Sequence, residues 1–133
     1  MLLESLRLTN ILSFGPDTEP LALGPLNVLV GPNGSGKSNL LESIGLLQAT
    51  PRDLSVPIRQ GGIRDWLWKG ATLPTAVIEA VLAYPRKPMP LRYRLAFSGV
   101  GERLTVTDER IEDRDAVPGE LKPYFYFGYE GDR

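Results

Sequence analysis

The chain contains neither cysteine nor histidine. The first absence removes any disulfide framework and any thiolate chemistry, and the second removes imidazole as base or ligand. Whatever chemistry the protein performs is left to carboxylates, lysine, arginine, hydroxyls and bound metal. An excess of one charge is missing as well, since 15 Lys and Arg stand against 16 Asp and Glu for a net charge of −1. That balance gives no global pull toward nucleic acid or an anionic membrane. The amino terminus has no long apolar run, because Glu4 and Arg7 interrupt it. It reads as neither a signal peptide nor a membrane span, so a cytoplasmic protein with no membrane partner is expected. What is present is ordinary globular composition, 42% apolar and 23% charged over 133 residues, enough for one domain with a modest core.

The most informative stretch is Gly31-Pro32-Asn33-Gly34-Ser35-Gly36-Lys37-Ser38, which fits G-x-x-x-x-G-K-[ST], the phosphate-binding P-loop. Gly34 and Gly36 let the backbone wrap closely around a triphosphate, so that successive N–H groups of the loop, those of Asn33 and Ser35 included, point at phosphate oxygens. Lys37 is placed to reach the β- and γ-phosphates, and the Ser38 hydroxyl to take one position on Mg²⁺. The helix that starts at the loop adds its positive end. A glycine-rich turn before an ordinary helix is the plainer alternative, and the flanks argue against it. Upstream, Leu26-Asn27-Val28-Leu29-Val30 is short, apolar and β-branched, as a buried strand should be. Downstream, Leu40, Ile44 and Leu47 recur at helical spacing with Leu41 widening the stripe, and Thr50-Pro51 closes the helix.

Before the loop, residues 2–11 alternate imperfectly, with Leu6 and Leu8 on one face and Arg7 and Thr9 on the other, as in a half-exposed strand. Phe14-Gly15-Pro16-Asp17 makes a turn, and a short strand around residues 21–23 leads through Gly24-Pro25 to the loop strand. Two edge strands are thus predicted ahead of the P-loop strand.

Leu8-Thr9-Asn10-Ile11-Leu12-Ser13-Phe14, followed by the run from Leu26 through the P-loop to Asn39-Leu40-Leu41-Glu42-Ser43-Ile44, resembles the amino-terminal lobe of ABC-type ATPase heads. More narrowly, it resembles the chromosome-maintenance (SMC) and RecF-like branch, including small AAA-type ATPases without a long coiled coil. Asn39 after the P-loop serine is typical of that branch. The resemblance implies an α/β P-loop NTPase fold, an ABC-ATPase-like lobe with an antiparallel β-subdomain, binding ATP and Mg²⁺. It implies that Asn10 and Ser13 lie near the nucleotide along with Asn39. Ile11 stands where the family usually has an aromatic residue, and Phe14 is either an adenine contact or core. Residues 50–62 read as a Pro- and Gly-rich loop, and Arg59-Gln60-Gly61-Gly62 looks like the family's arginine and double-glycine loop. Arg59 thereby inherits a γ-phosphate-facing, catalytic role beside Lys37, against the alternative of a solvated loop arginine.

The rest of the chain is less specific. Trp66 and Trp68, spaced by two, suit a core or partner-facing pair. Residues 76–84 fit either a helix or a strand with Ile78, Ala80, Leu82 and Tyr84 on one face, and the resemblance favours the strand. The stretch 86–94 holds the cations Arg86, Lys87, Arg92 and Arg94 with no acid, in a strand starting near Leu91. It forms either a phosphate-meeting patch or a solvated hairpin. Leu104 and Val106 alternate with Thr105 and Thr107, and the acidic run 108–115 then reads as an exposed turn. A Walker B strand ending in Asp108 and Glu109 is the rival reading, disfavoured because a central parallel strand should be continuously apolar. Residues 123–129 gather five aromatic residues that something should cover.

No convincing Walker B pair or signature loop is found, so the expectation is one ATP-binding lobe, the first part of a larger ATPase. Residues 1–50 would carry the strands, P-loop and helix, 51–74 the arginine loop, and 75–133 the β-subdomain. Its partner would be the remaining ATPase half or a second head, with DNA maintenance, repair or defence as the coupled work by analogy. A compact phosphotransferase using Asp108 and Glu109, and a nucleotide-dependent interaction module, are the rivals.

Overall fold

The computed structural model describes residues 2–32, 34, 36–50, 62–72, 74–101 and 103–130. Six strands form one sheet, ordered β2-β1-β3-β4-β5-β6, with every pairing antiparallel. They are β1 (Leu2–Thr9), β2 (Leu21–Ala22), β3 (Ala76–Tyr84), β4 (Lys87–Val100), β5 (Arg103–Asp113) and β6 (Phe125–Glu130), and one helix, α1 (Lys37–Ala49), packs on a single face. Among the described residues no helix is long and apolar enough to cross a membrane.

The alternation read in the sequence sets which face is buried. Leu6 and Leu8 of β1, Ala76, Ile78 and Ala80 of β3, and Leu95 and Phe97 of β4 all turn toward α1, each no more than 3% exposed. Residues 76–84 are therefore a strand. Burying each such leucine, isoleucine or phenylalanine contributes about 1.5–3 kcal/mol. The helix answers with Leu40 and Leu46, and with Ser43, whose buried hydroxyl donates to the Asn39 carbonyl at 2.8 Å. Ile44 and Leu47 are half-buried against the same core, but Leu41 is 61% exposed on the outer side. The apolar stripe thus runs through Ser43 and Leu46, and Leu41 does not widen it.

Of the four register shifts in the sheet, two decide which face the residues of β1 and β5 take. Leu3 pairs with Leu82 but Ser5 with Val81, so Glu4 is an extra residue in β1. Phe97 pairs with Val106 but Ala96 with Asp108, so Thr107 is extra in β5. Each insertion reverses the parity of its strand. In β5 the α1-facing row passes from Leu104 and Val106 to Glu109 and Ile111, and Asp108, Arg110 and Glu112 turn to the opposite face.

Several expectations are corrected. β1 is an interior strand between β2 and β3, so of the two expected edge strands one is at an edge, β2, and β6 forms the opposite edge. The stretch 26–30 is not a strand: Leu26, Val28 and Val30 are at least 80% exposed. A strand exists by pairing its backbone with a neighbour, and the antiparallel sheet offers this segment no slot. Instead Asn27 folds it locally, accepting from the Gly24 N–H at 2.9 Å and donating to the Gly24 carbonyl at 2.8 Å. The acidic run is not a turn up to Asp113, because β5 continues through it. β4 begins at Lys87, four residues before the expected start.

Candidate functional site

The helix α1 begins at Lys37 directly after Gly36, whose φ of +96° lies in the left-handed region, as does the +85° of Gly34. These are positions where glycine pays no Cβ penalty. The helix has no side-chain N-cap and no acidic residue in its first turn. Its first-turn N–H groups carry the partial positive charge of the helix end and are the donors an anion would satisfy. They face a cleft of about 310 Å³ lined by Gly34, Gly36, Lys37, Ser38 and Asn39, with no carboxylate on its walls. Within it the Lys37 ammonium donates to the Gly31 carbonyl at the loop's entrance. Ser38 is exposed beside it. Larger cavities of about 540 and 700 Å³ lie elsewhere, one apolar between α1 and the sheet and one among paired charges, and neither presents a run of free N–H donors.

Behind the loop stands the turn at residues 10–14. The Phe14 N–H donates to the Ile11 carbonyl at 2.9 Å, and Leu12 takes a φ of +52°, unusual for leucine. The turn presents Ser13, which accepts a 2.6 Å hydrogen bond from the Asn39 side-chain amide. A Cβ on Gly36 would lie 3.4 Å from Ser13 Oγ and 3.8 Å from Phe14 Cζ. Ser13, Phe14 and Asn39 are therefore gathered at the base of the loop. Asn10 lies at the turn's start with a φ of +54°, and its side-chain amide donates to the Thr75 carbonyl at 3.2 Å. Asn33, Ser35 and Arg59 lie outside the described residues, as does Gln60.

Sequence reasoning missed the support behind the turn. Leu12 N–H donates to the Trp66 carbonyl at 2.8 Å, Trp68 N–H to the Asn10 carbonyl at 3.0 Å, and buried Leu67 bridges to Ile11. Trp66 packs on the core, whereas the Trp68 ring lies over Gly15 and so close to Gly70 that a Cβ there would run into it. Nothing in a tryptophan pair spaced by two announces those backbone bonds.

The other candidates fall away from the loop. Asp108 is held by Arg94 at 2.5 Å and Arg110 at 2.9 Å on the face opposite α1. Glu109 points to the α1 side and accepts from the Tyr93 hydroxyl at 2.7 Å. Burial, and then that hydrogen bond, push the Tyr93 phenol well above its ordinary pKa. The two acids occupy opposite faces of an antiparallel strand and neither lines the loop cleft, which overturns the Walker B reading. Three of the four cations of the expected phosphate-meeting patch are engaged: Arg92 pairs with Glu112 at 2.5 Å, Arg94 with Asp108 and Glu79, and Lys87 lies over the Tyr126 ring at 4.1 Å. Cations engaged in this way are not free to release counterions from a nucleic acid.

A glycine loop in the left-handed region, a lysine at its end and an uncapped helix define a phosphate-binding domain of the P-loop class, with nucleotide-binding, ATPase-like function in general. The chain matches the family model described as "AAA domain, putative AbiEii toxin, Type IV TA system" over residues 26–122, well over half its length, and belongs to that family. No curated protein matches it.

Proposed function

We propose that the chain is the nucleotide-binding lobe of an SMC- or RecF-like ATPase, holding the phosphates of MgATP at the N-terminus of α1. The observation that carries this reading is the cleft itself: uncapped first-turn N–H groups beside Lys37 and Ser38, reached through left-handed Gly34 and Gly36. On binding, Lys37 exchanges the Gly31 carbonyl for the β- and γ-phosphates, a better partner for an ammonium. Among the described residues no group of three His, Cys, Asp or Glu could hold a metal. Mg²⁺ takes few protein ligands and fills its shell with phosphate oxygens and water. Ser38 is the ligand this chain supplies, and the ion neutralises phosphate charge. Ser13 and Asn39 shape the loop's base, Asn10 starts the turn that carries Ser13, and Arg59 keeps the γ-phosphate role that the resemblance implies.

Hydrolysis requires a carboxylate to orient water and a group opposing the γ-phosphate. Asp108 and Glu109 are committed to other partners, so both come from the remaining ATPase half or a second head. The exposed apolar stretch 26–30 and Leu41 on the outer side of α1 support a docking partner there. DNA maintenance, repair or defence is the coupled work by analogy with such heads.

The test is calorimetric titration of the chain with MgATP, with Lys37→Ala as control. The wild type is expected to bind. Lys37→Ala should keep its circular dichroism spectrum and lose at least about tenfold in affinity, the equivalent of about 1.4 kcal/mol. Equal binding by both proteins would remove the loop from the site.

A further inference from the structure

The turn at residues 10–14 is joined to two parts of the molecule by bonds of different kinds. Toward 66–68 it is locked by paired backbone hydrogen bonds and by the buried contact of Ile11 with Leu67, 0% and 4% exposed. Toward α1 it reaches through the Ser13 hydroxyl, bonded to the Asn39 side chain at 2.6 Å, with the Phe14 ring beside Gly36. Asn39 belongs to the first turn of α1, the same turn whose N–H groups line the loop cleft. Between these attachments Asn10 and Leu12 are held at φ of +54° and +52°. A leucine persists in that region only where its surroundings over-determine it.

We infer that Ser13 and Asn39 are positioning residues: their hydrogen bond is a strut that transmits phosphate occupancy of the loop to the segment 62–68. This rests on the nucleotide reading above. When phosphate draws the first-turn N–H groups and Lys37 toward itself, the start of α1 moves as a unit, because its backbone bonds are internal. Asn39 carries Ser13 with it. The turn cannot absorb that displacement by flexing, since its backbone is bonded on the far side to Trp66 and Trp68. Those residues therefore move or tighten with the loop. The segment follows directly on Gly62, the last glycine of the arginine loop, so a signal delivered there reaches the part of the chain expected to address a second subunit or another partner.

Trp66 and Trp68 are the two tryptophans of the protein, so intrinsic fluorescence reads the proposed movement without a label. The 133-residue chain is titrated with MgATP while binding is followed separately by calorimetry. Fluorescence of the wild type is expected to change along the calorimetric isotherm. At saturation, whatever the affinity, Ser13→Ala should lose most of that amplitude. Ser13→Thr, which keeps the hydroxyl at an exposed position, should restore it, and a double variant with Asn39→Ala should lose no more than Ser13→Ala alone. Full amplitude in saturated Ser13→Ala overturns the strut. So does wild-type binding without a fluorescence change. Hydrogen exchange of the wild type supplies a reading that needs no variant: the Leu12 and Trp68 amides, which donate across the turn, should exchange more slowly with MgATP and be unaffected by it in Lys37→Ala. Unchanged exchange in nucleotide-bound wild type also overturns the proposal. Absence of binding heat in the wild type is a different failure, since it removes the nucleotide reading and the strut falls with it.

Discussion

At the scale of single residues, Gly36 shows most directly how backbone conformation makes the site. Its φ of +96° is costly for any residue with a Cβ, and the new atom would sit 3.4 Å from Ser13 Oγ and 3.8 Å from the Phe14 ring. Gly36→Ala therefore faces both a conformational penalty of about 1–2 kcal/mol and pressure on the contact that holds the turn against α1. We expect it to lower the melting temperature by a few degrees, about what such a penalty produces in a chain of this length. Affinity for MgATP should fall further than that destabilisation explains, because the loop's N–H groups would no longer converge. Calorimetry on the folded fraction beside a thermal melt separates the two effects, and unchanged affinity would mean that the loop's left-handed entry is not needed. This residue was legible in the sequence because glycine has few reasons to occur twice within a motif ending in Lys-Ser. Leu12 was not. Its side chain gives no hint of a positive φ, which is imposed by hydrogen bonds to Trp66 and Phe14 made by its own backbone and that of its neighbours.

At the scale of elements, β5 shows why alternation alone was an incomplete guide. Leu104 and Val106 gave the correct inward row, but the bulge at Thr107 reverses parity after them, and a bulge leaves no mark in a period-two pattern. The acids beyond it looked like a solvated turn, yet Asp108, Glu112 and Asp113 pair with Arg94, Arg92 and Lys87 of β4, and single-sequence reading sees the charge but not the partner. Glu109 turns toward α1, where it meets Tyr93. That pair has a measurable consequence. The buried phenol holds its proton more tightly than in the unfolded chain, whose tyrosine titrates near 10.0. Its contribution to stability is complete below that pH and is lost as pH rises above it, because only the unfolded state then gains by releasing the proton. Tyr93→Phe removes both the hydrogen bond and the titration. Below pH 10.0 the variant should be less stable by about 0.5–1.5 kcal/mol, and the gap should narrow as the solution becomes more alkaline. Denaturant midpoints on either side of that pH check the sign. A gap that widens with alkalinity would mean that Tyr93 does not hold its proton through burial.

For the molecule as a whole, the function proposed above separates capture of phosphate from the chemistry done on it. One face of the sheet is closed by α1, and the loop opens at that helix's N-terminus. The acids of β5 that the sequence offered for hydrolysis are engaged elsewhere: Asp108 in ion pairs with Arg94 and Arg110, Glu109 on Tyr93, and Glu112 on Arg92. The P-loop motif was read from residues adjacent in sequence, and left-handed Gly34 and Gly36 with a helix starting at Lys37 fit it. The strand before it was misread, since Leu26, Val28 and Val30 carry a buried strand's composition while no neighbour in the sheet pairs with them. Composition of that kind, displayed at 80% exposure or more, argues for burial supplied from outside the sheet. If catalytic groups arrive with that partner, phosphate release from MgATP by the chain alone should not exceed that of Lys37→Ala at low protein concentration. Whatever turnover appears on concentrating the protein should rise more steeply than the first power of concentration, as expected when two heads must meet. Turnover strictly first order in protein and abolished by Lys37→Ala would show that one chain already holds a complete hydrolytic site. The water-orienting carboxylate would then have to be sought within this chain, beginning with acids that make no ion pair among the described residues, such as Glu42 on the outer side of α1.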